Sequence, residues 1–150
     1  MERIKILLVD DEEEFVKTLS ERIEIRGFKA DVALSGEEAL KAMDENLPDV
    51  IVLDLKMPGM DGMEIFRRAK KAHPEIQVIM LTGHGSEKDE NEARRLGVFE
   101  YLHKPVDLES LLRTVTNAYK SKFKSSMEAV SFAEAGEFET AQKNMDEERE

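Results

Sequence analysis

The chain has 150 residues, 41% of them hydrophobic, enough to bury one core and too few for two ordinary domains. Its formal net charge is -11 and it contains no cysteine. That balance argues against direct contact with nucleic acid or an anionic membrane surface, and it removes disulfides and thiolate chemistry. Only about six apolar-rich residues precede Asp10, too few for a signal-peptide core or a membrane span. A cytoplasmic protein without membrane insertion is the expectation.

The first predicted strand is Ile4 to Val9, a nearly continuous apolar run of the kind buried on both faces of a parallel sheet. A helix follows with Phe15, Leu19, Arg22, Ile23 and Arg26 at helical spacing, and Gly27 suits a left-handed cap just past its end. Lys29 to Leu34 alternates apolar and polar residues and reads as an edge strand. Ser35 with Glu38 three residues on forms a capping-box pattern at the start of the second helix. Val50 to Leu53 is the third strand, and Asp61 to Ala72 is a helix ended before Pro74. Ile76 to Leu81, a helix over Ser86 to Leu96 closed by Gly97, the weaker strand Val98 to Leu102 and a helix from Val106 to about Lys122 complete the series. Five strand-helix repeats predict an α/β fold with right-handed crossovers and a parallel, doubly wound sheet flanked by helices on both faces. In that architecture ligands bind outside the carboxyl ends of the strands.

Residues with chemistry gather at those ends. Asp10 and Asp11 follow the first strand and Asp54 follows the third, so three carboxylates converge on one pocket. Their mutual repulsion calls for a cation, and an all-oxygen donor set suits Mg²⁺, or Mn²⁺ as its stand-in. Thr82 ends the fourth strand and Lys104 follows the fifth, adding a hydroxyl and an ammonium at the same rim. Metal, ammonium and hydrogen-bond donors are what a transferring phosphoryl group needs around its oxygens. Any one of these residues is common in a loop after a strand. Five of them, each at a strand's carboxyl end, are not expected by coincidence. The three histidines, His73, His84 and His103, show no metal-ligand spacing.

In this order and spacing, Asp10-Asp11, the run Asp54-Leu55-Lys56-Met57-Pro58-Gly59-Met60-Asp61-Gly62, Thr82-Gly83 and Tyr101-Leu102-His103-Lys104-Pro105 resemble the response-regulator receiver family over about residues 4 to 120. The resemblance implies a flavodoxin-like sheet with strand order 2-1-3-4-5. It makes Asp54 the acceptor of a phosphoryl group from a sensor histidine kinase or phosphotransfer protein, with Lys104 and Thr82 assisting. It implies that Asp11, Asp54 and the Lys56 backbone carbonyl ligate Mg²⁺ directly, with Asp10 helping directly or through water. Lys104 would pair with Asp54 at rest, and Thr82 and Tyr101 would form the switch, Tyr101 turning inward as Thr82 moves. The resemblance also implies a cis Lys104-Pro105 bond, although X-Pro bonds are trans in most cases. Lys56 and His84 occupy positions that tune the lifetime of the phosphoryl group. Gly59, Gly62 and Gly83 read as serving backbone geometry. Such a protein is a phosphoacceptor rather than a turnover enzyme.

The receiver is expected over residues 1–121. Residues 122–150 form a helical extension too short for an independent domain, read as two short helices, Phe123 to Ala135 and Glu137 to Met145, separated by Gly136. Phe123, Met127, Val130, Phe132 and Phe138 give this tail apolar surface that could pack on the receiver, form a homodimer or dock on a partner. Output is therefore expected through a downstream protein target, without a DNA-binding module. Two further alternatives are a degenerate receiver acting as a scaffold and a Mg²⁺-dependent phosphohydrolase with an Asp nucleophile. The latter lacks a second carboxylate after Asp54 and a cap domain. A nucleotide or flavin module lacks a Gly-rich loop after the first strand.

Overall fold

The computed structural model describes residues 3–134, with side chains through residue 122. Ten elements alternate along the chain: β1 (Lys5–Val9), α1 (Glu13–Ile25), β2 (Lys29–Ala33), α2 (Gly36–Glu45), β3 (Val50–Leu53), α3 (Gly62–Ala72), β4 (Gln77–Thr82), α4 (Glu87–Arg95), β5 (Glu100–His103) and α5 (Leu108–Glu134). The strands form one parallel sheet in the order β2-β1-β3-β4-β5, as the resemblance implies.

Strand alternation divides the core into two layers. Ile6, Leu8, Val50, Val52, Ile79 and Leu81 pack with Val16 and Ile23 of α1 and with Leu111 and Val115 of α5. Leu7, Val9, Ile51, Leu53, Val78 and Met80 pack on the other face with Ala39 and Met43 of α2, Phe66 and Ala69 of α3 and Ala93 of α4. Because both faces are covered, the central strands are apolar throughout, which is why they read as continuous runs in the sequence.

Helix starts follow local chemistry. The Ser35 side chain accepts from the Glu38 N–H, but the Glu38 carboxylate accepts from the Leu34 N–H at 3.1 Å, so the expected capping box is only half built. A full box forms instead at α4, where Ser86 and Asp89 exchange both bonds at 3.1 Å. The Asp61 carboxylate caps α3 through the Glu64 N–H.

The expected end of the fifth helix near Lys122 is not observed: α5 continues to Glu134. No Gly or Pro interrupts residues 108–134, so no backbone signal stops it. The chain divides into two units, Met1–Tyr119 and Lys120–Glu150. The second tail helix expected at Glu137 to Met145 lies outside the described residues. Among those residues, no helix is long and apolar enough to cross a membrane.

Candidate functional site

Register places the site. Val9 of β1 pairs with Leu53 of β3, so Asp10 and Asp54 leave adjacent strands side by side. Two ladder-like bonds continue past the strand ends: Asp54 N–H donates to the Val9 carbonyl at 2.9 Å and Asp10 N–H to the Ala33 carbonyl at 3.1 Å. On the other flank Thr82 pairs with His103, and the Lys104 N–H donates to the Thr82 carbonyl at 3.0 Å. The Lys104-Pro105 bond is cis. Because β1 and β3 are neighbours whose crossovers run in opposite directions, this crevice is the topological switch point of the sheet.

Asp10, Asp54 and Thr82 are buried, at 5%, 3% and 0% exposure, and they are the buried polar side chains among the described residues. Polar groups this deep need partners or a task. The Lys104 ammonium bonds Asp10 at 2.7 Å, approaches Glu12 at 3.3 Å and stands 3.9 Å from Asp54. Its tight partner is thus Asp10, where the resemblance had implied Asp54. The ammonium also lies 4.5 Å from the centre of the Phe15 ring. Burial by itself would lower the Lys104 pKa. The bond to Asp10 and the charges of Asp10 and Asp54 outweigh it and hold the ammonium above its ordinary range.

Asp54 is shifted upward, first by burial and further by the Asp10 charge. Lys104, the Thr82 hydroxyl and the Lys56 N–H act in the opposite direction without cancelling the rise. Its Oδ1 is buried and has no hydrogen-bond partner.

The acidic cluster differs from expectation at one position. Carboxylate oxygens of Asp10, Glu12 and Asp54 lie within 4.8 Å of one another, whereas Asp11 is exposed and outside the cluster. The reason is local: the Glu12 N–H donates to Asp10 Oδ1 at 2.9 Å, an Asx turn that folds the chain back after β1. Sequence reasoning passed over Glu12 because it followed the strand end without this turn. The residues fit a hard divalent cation: the donors are all oxygens, and Asp54 offers a buried, unpartnered one.

Around this centre, the Thr82 hydroxyl accepts from the His84 N–H at 3.2 Å, while the His84 side chain is exposed. The Lys56 ammonium stands 3.7 Å from Asp89 of α4, pointing its charge at that helix. Tyr101 is 3% exposed, already turned inward with Thr82 buried beside it, where the resemblance implied an inward turn as Thr82 moves, and its hydroxyl has no partner. Its ring meets the His103 ring edge-on at 5.3 Å. Burial, with the charges of Asp89, Glu90 and Asp54, raises the Tyr101 pKa. Of the glycines near the pocket, only Gly59 has a positive φ. Gly62 is required for space, since a Cβ there would overlap the Asp54 carbonyl oxygen, and Gly83 has ordinary room.

This fold and this rim of residues define a receiver. Residues 6–116 match the family described as response regulator receiver domain, and the chain belongs to that family. Among curated proteins it is 39% identical over 113 residues to the transcriptional regulatory protein GlrR of Escherichia coli K12, covering 75% of this chain and 26% of GlrR. It is also 39% identical over 111 residues to the transcriptional regulatory protein CpxR of the same strain, covering 74% of this chain and 47% of CpxR. The chain therefore spans between about a quarter and a half of these relatives. A solved receiver domain from Clostridium thermocellum is 40% identical, with a TM-score of 0.75 over 79% of this chain and 95% of that one. A CheY-like receiver domain from Methanospirillum hungatei JF-1 is 26% identical, with a TM-score of 0.79 over 83% and 99%.

Proposed function

We propose that this receiver domain of the two-component type accepts a phosphoryl group on Asp54. The observation that carries the reading is the Asp54 carboxylate itself: buried at the sheet's switch point, with one oxygen unpartnered and an ammonium 3.9 Å from the other. An Asp54 oxygen forms a bond to phosphorus as the phosphorus-nitrogen bond of a partner's phosphohistidine breaks, and the released imidazole takes up a proton. Lys104 and Thr82 then supply an ammonium and a hydroxyl to the new phosphoryl oxygens. Asp54 and Asp10, with Asp11 or Glu12 and the Lys56 carbonyl, would hold Mg²⁺, which when bound neutralises charge between the carboxylates and the phosphoryl group.

Phosphorylation adds roughly -1.5 to -2 charge and new acceptor oxygens. The Thr82 hydroxyl acts on Asp54, and Tyr101 meets Thr82 around Gly85 in the layer that holds Ala93 of α4, so the change is passed to the surface of α4, β5 and α5. That surface is held by exposed ion pairs, Arg94 with Glu90 and Glu100 at 3.1 and 2.9 Å, and a His103-Glu90 contact at 3.1 Å. Such pairs are individually weak and easily exchanged for partner contacts. On this reading the protein is a cytoplasmic phosphoacceptor that works on downstream proteins and turns over no separate substrate.

The test is intact-mass analysis after incubation with Mg²⁺ and acetyl phosphate. The native chain is expected to gain one phosphoryl adduct and the Asp54→Ala variant none. A native chain that stays unmodified with every small phosphodonor and a histidine kinase would leave only a scaffold role.

A further inference from the structure

Gly85 lies in the loop between β4 and α4. Its backbone is in a region open to any residue, because the positive-φ glycines among the described residues are Gly27, Gly59 and Gly97. The path of the chain therefore does not require glycine here. Space does: a Cβ on Gly85 would overlap the Tyr101 hydroxyl oxygen and lie 3.0 Å from Tyr101 Cζ and 3.1 Å from Thr82 Cγ2. The overlap with the hydroxyl oxygen is far inside any non-bonded distance, so ring and side chain cannot both be accommodated as they stand.

Nothing else described in this pocket fastens the ring by its polar end. The Tyr101 hydroxyl is buried and makes no hydrogen bond. The ring is 3% exposed and packs in the layer formed with α2, α3 and α4. It is kept inward by fit alone, and the part of the fit that receives its hydroxyl is the missing side chain of residue 85.

We propose that Gly85 is the gate of the Tyr101 switch: the space left by its absent β-carbon admits the ring, and a side chain at 85 turns Tyr101 outward while leaving phosphoryl acceptance at Asp54 intact. The meaning of this gate for output rests on the reading of Tyr101 as a switch residue. The gate itself rests on contacts alone.

The experiment uses the full chain carrying ring-labelled [¹³Cε]tyrosine. Only two tyrosines are present, so Tyr119 serves as the internal reference beside Tyr101. A soluble gadolinium chelate reports exposure. In the native protein the Tyr101 signal is expected to be shielded. In Gly85→Ala it is expected to broaden severalfold more than in the native protein, with Tyr119 unchanged and adduct formation from acetyl phosphate within about twofold of native. A Tyr101→Phe background removes the clashing oxygen and leaves the milder contacts, 3.0 Å to the ring carbon Cζ and 3.1 Å to Thr82 Cγ2. There Gly85→Ala should lower the unfolding midpoint much less than it does with Tyr101 present.

A Tyr101 signal as shielded in Gly85→Ala as in the native chain overturns the proposal, as does an equal midpoint loss in both backgrounds. If Gly85→Ala alone does not fold, folding of the double variant supports the gate and its failure rejects it. Loss of adduct in Gly85→Ala alone would show that the gate is not separable from the chemistry and would overturn that half of the proposal. Loss of adduct in the native chain counts against Asp54 as acceptor and leaves the gate to be judged by the ring signal.

Discussion

A carboxylate with 3% exposure holds its charge against the solvation it has lost, and in Asp54 burial is the largest cause of an upward shift. The sign for stability follows from proton binding. Above the usual carboxylate range the folded state keeps more proton on Asp54 than the unfolded state does, so this group's contribution to stability falls as pH rises through that window and stays low at neutrality. Asp54→Asn removes the charge with little change of shape. The variant is expected to be more stable than the native chain at pH 7. That gain should shrink toward pH 4, where both forms approach neutrality. Urea midpoints at the two pH values check it, and a variant less stable at pH 7 would show that the Lys104 contact outweighs burial. Asp10, Asp54, Thr82 and Lys104 were legible in the sequence because each directly follows or ends an apolar strand whose neighbours the fold class specifies. Glu12 was hidden by the Asx turn after β1. Gly85 was hidden because its need for space is created by Tyr101, which only the pairing of β4 with β5 brings near.

The helices are not anchored equally. Among its nine residues α4 buries only Ala93, whereas α3 buries Gly62, Met63, Ile65, Phe66 and Ala69. With so little apolar area turned inward, α4 depends on its termini and on ion pairs such as Arg67-Glu92 and Lys56-Asp89. Ser86→Ala, which removes half of its capping box, is therefore expected to cost about 1 kcal/mol and to raise amide exchange across the first turn of α4. Asp61→Ala should cost a similar amount at α3 while leaving the rest of that well-buried helix protected. Exchange measured by mass spectrometry on both variants distinguishes local fraying from global loss. Equal protection of α3 and α4 in the native chain would contradict this ordering. Element type and order were legible, since the apolar runs and caps are local signals. Ser35 with Glu38 promises a full box that is only half built, and the full box at Ser86 with Asp89 is not read from the sequence, because which backbone N–H the third residue meets depends on the turn before it. The end of α5 was misplaced for a related reason: a change in composition after Lys122 is not a helix stop when no Gly or Pro accompanies it.

At the scale of the whole molecule, a net charge of -11 means that any divalent salt screens self-repulsion, so added Mg²⁺ stabilises the fold to some degree without a specific site. A specific site has a different signature. Ligand that binds only the folded state adds RT ln(1 + [L]/Kd), about 1.4 kcal/mol at ten times Kd. Held at constant ionic strength with NaCl, the native chain should gain this amount from Mg²⁺, and Asp54→Asn should lose most of the gain because its buried, unpartnered Oδ1 is the donor no other residue replaces. Comparing Asp11→Asn with Glu12→Gln then decides the remaining carboxylate. If the turn that folds Glu12 over the pocket persists with the cation bound, Glu12→Gln lowers the Mg²⁺ gain more than Asp11→Asn does. If the cation draws Asp11 inward, the order reverses, and Glu12 is left as a partner of Lys104 at the rim. A native chain whose Mg²⁺ response equals that of Asp54→Asn at matched ionic strength would reduce the acidic cluster to ordinary screening. Asp54 would then meet its phosphodonor with Lys104 as the sole countercharge described in its pocket.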